Sequence, residues 1–559
     1  MFRPKLFDTL KNYSQKQFAN DVLAGIIVGI VALPLAIAFG IASGVTPEKG
    51  LITAVVAGFI ISALGGSRVQ IGGPTGAFIV IVYGIVQTYG IDGLIIATFM
   101  AGITLIILGI ARAGAVIKFI PHPLIIGFTS GIALIIFSSQ VKDFLGLKMG
   151  NVPADFLEKW HLFFLHAGSI NWYALLISIV TVVIIILWPK ITQKIPGSLI
   201  AIIVTTAAVQ AFKLPVETIG SRFGVISSSI PPPIIPHVNF ETFKHLVAPA
   251  FTIAMLCAIE SLLSAVVADG MISGNHRSNM ELIAQGTANI FSSIFGGIPA
   301  TGAIARTATN VKNGGRTPVA GIVHAITLLL ILLILGKWAS YIPIANLAGI
   351  LVVVAYNMSE WKNFKSILKG PKGDVAVLLT TFLLTVLIDL TVAIEIGMVL
   401  AVFLFMRNMI KFSDVSILTR EIGDKEFGYD LVDGKFQLPK EVEVFEITGP
   451  LFFGAAYKFR DAMKYIKKHP KVLIIRMRHV PIIDSTGIQV LKEVIGNSVK
   501  NHTKIILSEL ENEQVEKALK ESRLMFAVGK ANILPTFEKA LVRAEKILAD
   551  AKTYAEIRV

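Results

Sequence analysis

The chain has one cysteine, Cys257, in 559 residues, which excludes an intramolecular disulfide framework and a cysteine-rich metal cluster. Read locally, Cys257 is a small apolar residue in a helix. Charge is scarce too, at 16% of residues against 54% hydrophobic. There is no nucleotide-binding loop, no metal-ligand spacing and no nucleophile paired with a base, so no enzyme chemistry, cofactor or metal is called for. Met1 to Gln17 is polar and basic and lacks an apolar core beside a small-residue cleavage site. The first apolar segment is therefore expected to stay in the mature protein.

What is abundant is apolar sequence. Mean hydropathy is +0.72, and apolar runs long enough to cross a bilayer recur from about Val22 to about Phe412, the mark of a polytopic membrane protein. The net charge of +14 would suggest nucleic acid in a soluble chain. Here the Lys and Arg residues gather at the ends of apolar segments and read as topology signals, with no nucleic-acid partner.

Fourteen apolar segments are read, at about 20–43, 50–65, 74–88, 93–111, 121–139, 171–189, 197–212, 248–268, 281–296, 301–312, 317–336, 342–357, 373–388 and 390–411. The third and tenth are too short to span. With the N-terminus assigned to the cytoplasm, the basic stretches 112–118, 189–194, 276–277, 312–316 and 362–372 all fall on the cytoplasmic side. Two long loops, 141–169 and 213–245, fall on the other.

The sharpest local signal is Gly296 to Thr307, GGIPATGAIART, with a near echo at Gly72 to Phe78, GGPTGAF. Both put Thr-Gly-Ala after a Gly/Pro break inside apolar sequence. Each reads as a helix that begins in mid-membrane, with unpaired N–H groups and the positive end of its dipole at the break. Two such ends facing each other make an anion site. They fall in the third segment of each half of seven, and because seven is odd the second half must run inverted. Inverted repeats with broken helices at corresponding positions mark a secondary transporter with a midplane substrate site.

Glu260 lies well inside the eighth segment, where a carboxylate is costly and a functional candidate by default. Ser264, at i+4, shares its helix face. A protonatable Glu, a carboxylate and hydroxyl lining a cation site, and a neutral structural Glu are the three readings. Arg306 is either a fixed positive charge beside the second helix start or a structural counter-ion. Asp269, near the end of its helix, reads as a solvated cap.

After Phe412 the apolar runs shorten and charges become dense, enough for one small soluble domain. Strands are read at 442–447, 472–477 and 503–507, with helices at 455–467, 486–499, 512–521 and a closing helix at 537–551. The turn Asp484-Ser485-Thr486-Gly487 suits either phosphate binding or helix capping, and capping is preferred. The domains are thus a cytoplasmic N-terminal segment 1–17, a transmembrane domain 18–412 with repeats at about 18–212 and 246–412, a linker 413–440 and an α/β domain 441–551.

Four stretches taken together, Asp21 to Gly50, Gln70 to Phe78, Glu260 to Asn289, and Arg306 followed by Gly314-Gly315-Arg316-Thr317, resemble the sulphate permease (SulP) anion transporters. The C-terminal domain with its Asp-Ser-Thr-Gly turn resembles their STAS domain. The resemblance implies seven-plus-seven inverted repeats with a mobile core and a gate, an elevator-like movement, a homodimer, and an anion held between the starts of the third and tenth helices. Carried over by position, Thr75, Gly76, Ala77 and Phe78 with Thr301, Gly302 and Ala303 match the anion-cradling helix starts. Arg306 matches the positive residue there, and Phe39 an aromatic position near the substrate. Glu260 matches the coupling carboxylate, tied to protons when Glu and to sodium when Asp. Ala305 departs from members with Ser beside the Arg. Ser485 matches a serine phosphorylated in soluble relatives of the domain. The reading is a proton-coupled symporter of sulphate or a similar small anion in a bacterial inner membrane, with both termini cytoplasmic and a possible cytoplasmic partner of the STAS domain. Sodium-coupled bicarbonate or dicarboxylate transport is the alternative, and an anion channel or membrane sensor is the reading from another class.

Overall fold

A computed structural model describes residues 2–115, 120–150, 152–153, 155–192, 196–225, 227–229, 231–233, 240–388, 390–412, 414–418, 439, 441–464 and 470–556. The chain divides into two compact units, Met1–Ala401 and Val402–Val559.

The first unit is all helix apart from two tiny strands. In chain order it contains α1 Gln15–Ala42, α2 Pro47–Leu64, β1 Gly72–Gly73, α3 Ile79–Ile110, α4 His122–Leu145, α5 Phe156–Leu165, α6 Trp172–Leu187, α7 Gly197–Phe212, α8 Phe240–Ile272, α9 Ser278–Ile294, β2 Thr301–Gly302, α10 Ile304–Lys312, α11 Pro318–Ala339, α12 Ile344–Met358, α13 Lys372–Leu387 and α14 Leu390–Phe412. Every one of the fourteen apolar segments is therefore helical. The third and fourth share α3, where no loop separates them; Gly90, at φ 69 and ψ −170, breaks the helix within a single residue. That conformation is open to glycine and penalised elsewhere. Among the described residues nine helices are long and apolar enough to cross a membrane. The stretch 141–169, expected as loop, contains α5. Helix α8 starts at Phe240, within the other expected loop.

Packing shows the repeat. Helix α11 lies on α1 and α2, while the second part of α3 lies on α8 and α9. Exchanging each segment with the one seven places on turns the first set of contacts into the second. Likewise α4 packs on α12 and α13, and α12 packs in turn on α6. The unit thus forms two bundles, a core of the first four segments of each half and a gate of the rest. Glycines set the core crossings. A Cβ on Gly286 would lie 2.5 Å from Gly102 O, and one on Gly102 would lie 2.7 Å from Gly286 O.

Polar contacts sort the two ends of this unit. Arg277 pairs with Asp8 at 2.7 Å and donates to Arg3 O at 2.8 Å, while Lys5 N donates to Gly65 O. Asp21, fully buried, accepts from Tyr13 Oη, Gln17 Nε2, Arg316 N and Thr317 Oγ1 at 2.6 to 3.0 Å. The N-terminal segment, residues 276–277 and residue 316 therefore share one end. At the opposite end Arg222 binds Asp143 at 2.7 Å and also Glu217. Asp269 is no solvated cap: its carboxylate accepts from His276 N at 2.7 Å and meets His276 Nδ1 at 2.6 Å, closing the turn between α8 and α9.

The second unit is an α/β domain whose five-stranded sheet has the order β3-β4-β5-β6-β7: Asp414–Leu418, Val442–Thr448, Val472–His479, Lys504–Ser508 and Ile533–Leu534. All neighbours are parallel except β3, which pairs antiparallel with β4. Strand β3 falls in the stretch 413–440 expected as linker. Its five residues are too short for a pattern to emerge, and pairing supplies the order. Helices α15 Phe453–Lys464, α16 Ser485–Lys500 and α17 Glu513–Glu521 cover one apolar face, and α18 Phe537–Glu556 covers the other. The unit begins at Val402 rather than after Phe412 because the end of α14 packs on α15, with Lys458 Nζ donating to Ile410 O at 2.9 Å.

A Cβ at position 286 meets backbone that cannot swing aside. Gly286→Ala is expected to cost about 1–3 kcal/mol by overpacking and to lower the unfolding midpoint of the purified protein. Gly84→Ala, with nothing within 4 Å of its Cβ, is expected to leave the midpoint unchanged or raise it.

Candidate functional site

The two Gly/Pro breaks meet. Gly72 pairs with Gly302 and Gly73 with Thr301 in an antiparallel bridge, continued by Ala303 N donating to Ile71 O at 2.8 Å. Strands this short survive inside a helical unit only when neighbours hold them, and four helices do so. From α2, Thr53 Oγ1 accepts from Ile298 N at 2.7 Å. From α9, Asn289 both accepts from Ala300 N and donates to Ala300 O, at 2.9 and 2.8 Å. From α10, Thr307 Oγ1 accepts from Ile71 N at 3.0 Å and Asn310 Nδ2 donates to Val69 O at 2.8 Å. From α8, Cys257 O accepts from Thr301 Oγ1 at 3.1 Å, and the Cys257 thiol donates to Ala300 O at 3.2 Å. Cys257 is thus more than a small apolar residue. Glycine is required at the crossing, because a Cβ on Gly302 would collide with the Gln70 amide and one on Gly73, at φ +152, with the Arg306 guanidinium.

From this crossing two helices start. Extended Thr75 leads into the turn Gly76–Phe78 and then α3; extended Ala303 leads into α10. The first N–H groups of each have no intrahelical acceptor, and their dipoles add positive potential. Gly76, Ala77, Phe78, Thr301, Gly302 and Ala303 are buried, whereas Ile304 and Ala305 are exposed. Arg306 is 2% exposed. Its Nη2 donates to Pro74 O at 2.9 Å, while Nη1 has no partner among the described residues. The guanidinium therefore brings a positive charge to the Gly73–Thr75 corner.

Glu260, partly exposed, accepts a hydrogen bond from Thr75 Oγ1 at 2.8 Å. This ties the carboxyl to the residue that opens α3. Ser264 does not join it: fully buried, its hydroxyl lies 3.3 Å from Thr307 Oγ1 and braces the crossing instead. Phe39 is buried, and its Cε1 would lie 3.5 Å from a Cβ on Gly76, with Ile136 Cδ1 at 3.3 Å and Met358 Sδ at 3.0 Å. Phe39 belongs to the core and the other two to the gate, so the start of α3 sits where the two bundles meet. Ser485, in the second unit, is the exposed first residue of α16; Asp484 does the capping, accepting from Gly487 N at 2.7 Å.

Three buried polar groups escaped the sequence reading. Glu281 accepts from Gly66 N, Ser67 N and Gln285 Nε2, and Asp21 ties α1 to the turn before α11. His324 is fully buried, with only the Gly321 backbone beside its ring as a hydrogen-bond partner among the described residues. A polar residue at the edge of an apolar run reads as a helix end, and only tertiary structure shows what it binds. Among the described residues no group of three or more His, Cys, Asp or Glu could hold a metal.

Residues 18–381 match the model of the sulfate permease family, and 436–540 that of the STAS domain. The chain belongs to the sulfate permease family. It is 42% identical over 522 residues to the putative sulfate transporter YvdB of Bacillus subtilis, covering 93% of this chain and 96% of that one. It is 32% identical over 456 residues to the bicarbonate transporter BicA of Picosynechococcus, covering 79% and 80%. Its fold is similar to that of the murine Solute Carrier 26 family member A9 anion transporter in the inward-facing state, with a TM-score of 0.87 at 19% identity over 98% of this chain and 94% of that one. Within this family frame, Gly73→Ala is the sharpest probe of the site, since the new methyl displaces the Arg306 guanidinium. The variant is expected to lose at least tenfold in anion affinity, read by equilibrium binding, while eluting as folded protein on size exclusion.

Proposed function

We propose that this protein is a secondary active transporter that symports a small inorganic anion, sulphate first, with protons. The observation that carries the reading is the Thr75–Glu260 hydrogen bond, which joins a titratable carboxyl to the very residue that opens one of two facing helix starts. The anion sits between those starts, held by their N–H groups and the Arg306 charge. An ionised Glu260 repels it through the short Thr75 link, and protonation removes that repulsion. Proton and anion therefore bind cooperatively, and the loaded core carries less charge to desolvate. The core then moves against the gate past Phe39, Ile136 and Met358 in an elevator-like step.

The protein resides in a bacterial plasma membrane as a homodimer spanning it fourteen times, with both termini cytoplasmic and the STAS domain open to a cytoplasmic partner or to control through Ser485. The name of the 42% identical Bacillus relative supports sulphate. The bicarbonate transporter at 32% identity supports a second reading, bicarbonate with sodium. A carboxyl beside the anion site favours stoichiometric coupling over a channel or a sensor.

In proteoliposomes the protein is expected to accumulate labelled sulphate against its gradient when an inward proton gradient is imposed. Glu260→Gln is expected to abolish that dependence while leaving anion exchange. Labelled bicarbonate accumulated under an inward sodium gradient, with no response to protons, would support the second reading instead.

A further inference from the structure

At the end of the first unit remote from the N-terminal segment, a cavity of about 720 Å³ opens between core and gate. One wall is α3 from Ile79 to Thr88, beginning one residue beyond the turn that opens α3, and another is α4 from Ser139 to Asp143. The cavity therefore reaches to within one residue of the turn that opens α3. At roughly 30 Å³ per water, it holds a small anion with ample hydration. Tyr83 Oη donates to Val152 O at 2.7 Å across its rim, linking core to gate loop.

Three cations line this vestibule, Lys142, Lys159 and Arg222. Two have partners: Lys142 Nζ donates to Gly150 O at 2.8 Å, and Arg222 is paired with Asp143 and Glu217. Lys159 is different. It lies on the apolar face of α5, at i+3 from Phe156 and four residues before Phe163, and is 4% exposed. Among the described residues its ammonium has no hydrogen-bond or ion-pair partner, while its backbone N–H donates to Asp155 O within the helix. Asp155, one turn earlier, spends one carboxylate oxygen on the Glu158 N–H at 2.8 Å as the cap of α5. Burial pulls the Lys159 ammonium below the ordinary lysine range, and the Asp155 charge opposes that pull. A lysine this deeply buried, with no ion pair, is costly unless a counter-charge visits it.

We propose that Lys159 is the centre of an anion-docking site in this vestibule, capturing a small inorganic oxyanion before it reaches the helix starts. This rests on the anion-transport reading above, but its test does not need transport. Labelled sulphate is bound to purified protein carrying Gly73→Ala, which blocks the site at the crossing. Residual binding is expected to fall at least fivefold on adding Lys159→Gln and to persist with Lys159→Arg. In wild-type proteoliposomes, a membrane-impermeant amine reagent is then applied and the modified peptides are read by mass spectrometry. Saturating sulphate is expected to slow modification of Lys159 several-fold and to leave that of exposed Lys213 unchanged. Residual binding that is absent or indifferent to Lys159→Gln, or protection equal at both lysines, overturns the docking site. Wild-type protein that moves no sulphate yet protects Lys159 overturns the transport reading and leaves the docking site standing.

Discussion

Inside hydrocarbon, a backbone that leaves the helix must have every N–H and C=O satisfied by protein or by a water-filled cavity. The crossing of Gly72–Gly73 with Thr301–Gly302 is where this protein meets that demand. The two breaks supply each other's main-chain partners, and Thr53, Asn289, Thr307 and Asn310 supply the rest. Much of the core follows from it. The glycines are there because any side chain would collide, the small residues of α8 let it pass close by, and the two helices can start only where the crossing releases them.

The crossing also explains why charge is tolerated at this depth. Arg306 is fixed by Pro74 O and Glu260 by Thr75, residues adjacent in the strand-to-helix turn. A positive and a titratable negative group thus act on one corner of backbone. Because Gly76 at that corner abuts Ile136 and Met358 of the gate, what binds there is felt at the boundary between the two bundles.

The helices and the position of both breaks were legible in the sequence, because length, hydropathy and Gly/Pro punctuation act locally. Three of the five strands and the longer helices of the second unit were legible for the same reason. What pairs with what was not. Glu260 and Ser264 share a helix face, yet Thr75 reaches the first and Thr307 lies beside the second, a choice made by elements far apart in the chain. Asp269 sits near a helix end and reads as a solvated cap, but it is locked to His276, and Asp21, which carried no reading of its own, is buried against Thr317. Strand β3 was hidden because five residues carry too little pattern to reveal a partner in β4. Lys159 fell in the stretch 141–169 expected as loop, and nothing in α5 by itself shows that its apolar face is covered.

The central claim is that one proton at Glu260 controls anion binding at the crossing. It is tested most directly by measuring the dissociation constant of sulphate for the purified protein as a function of pH. The account predicts that affinity falls up to tenfold per pH unit once Glu260 ionises, and that Glu260→Gln binds with no such slope. An identical slope in both proteins, or none in either, would contradict it.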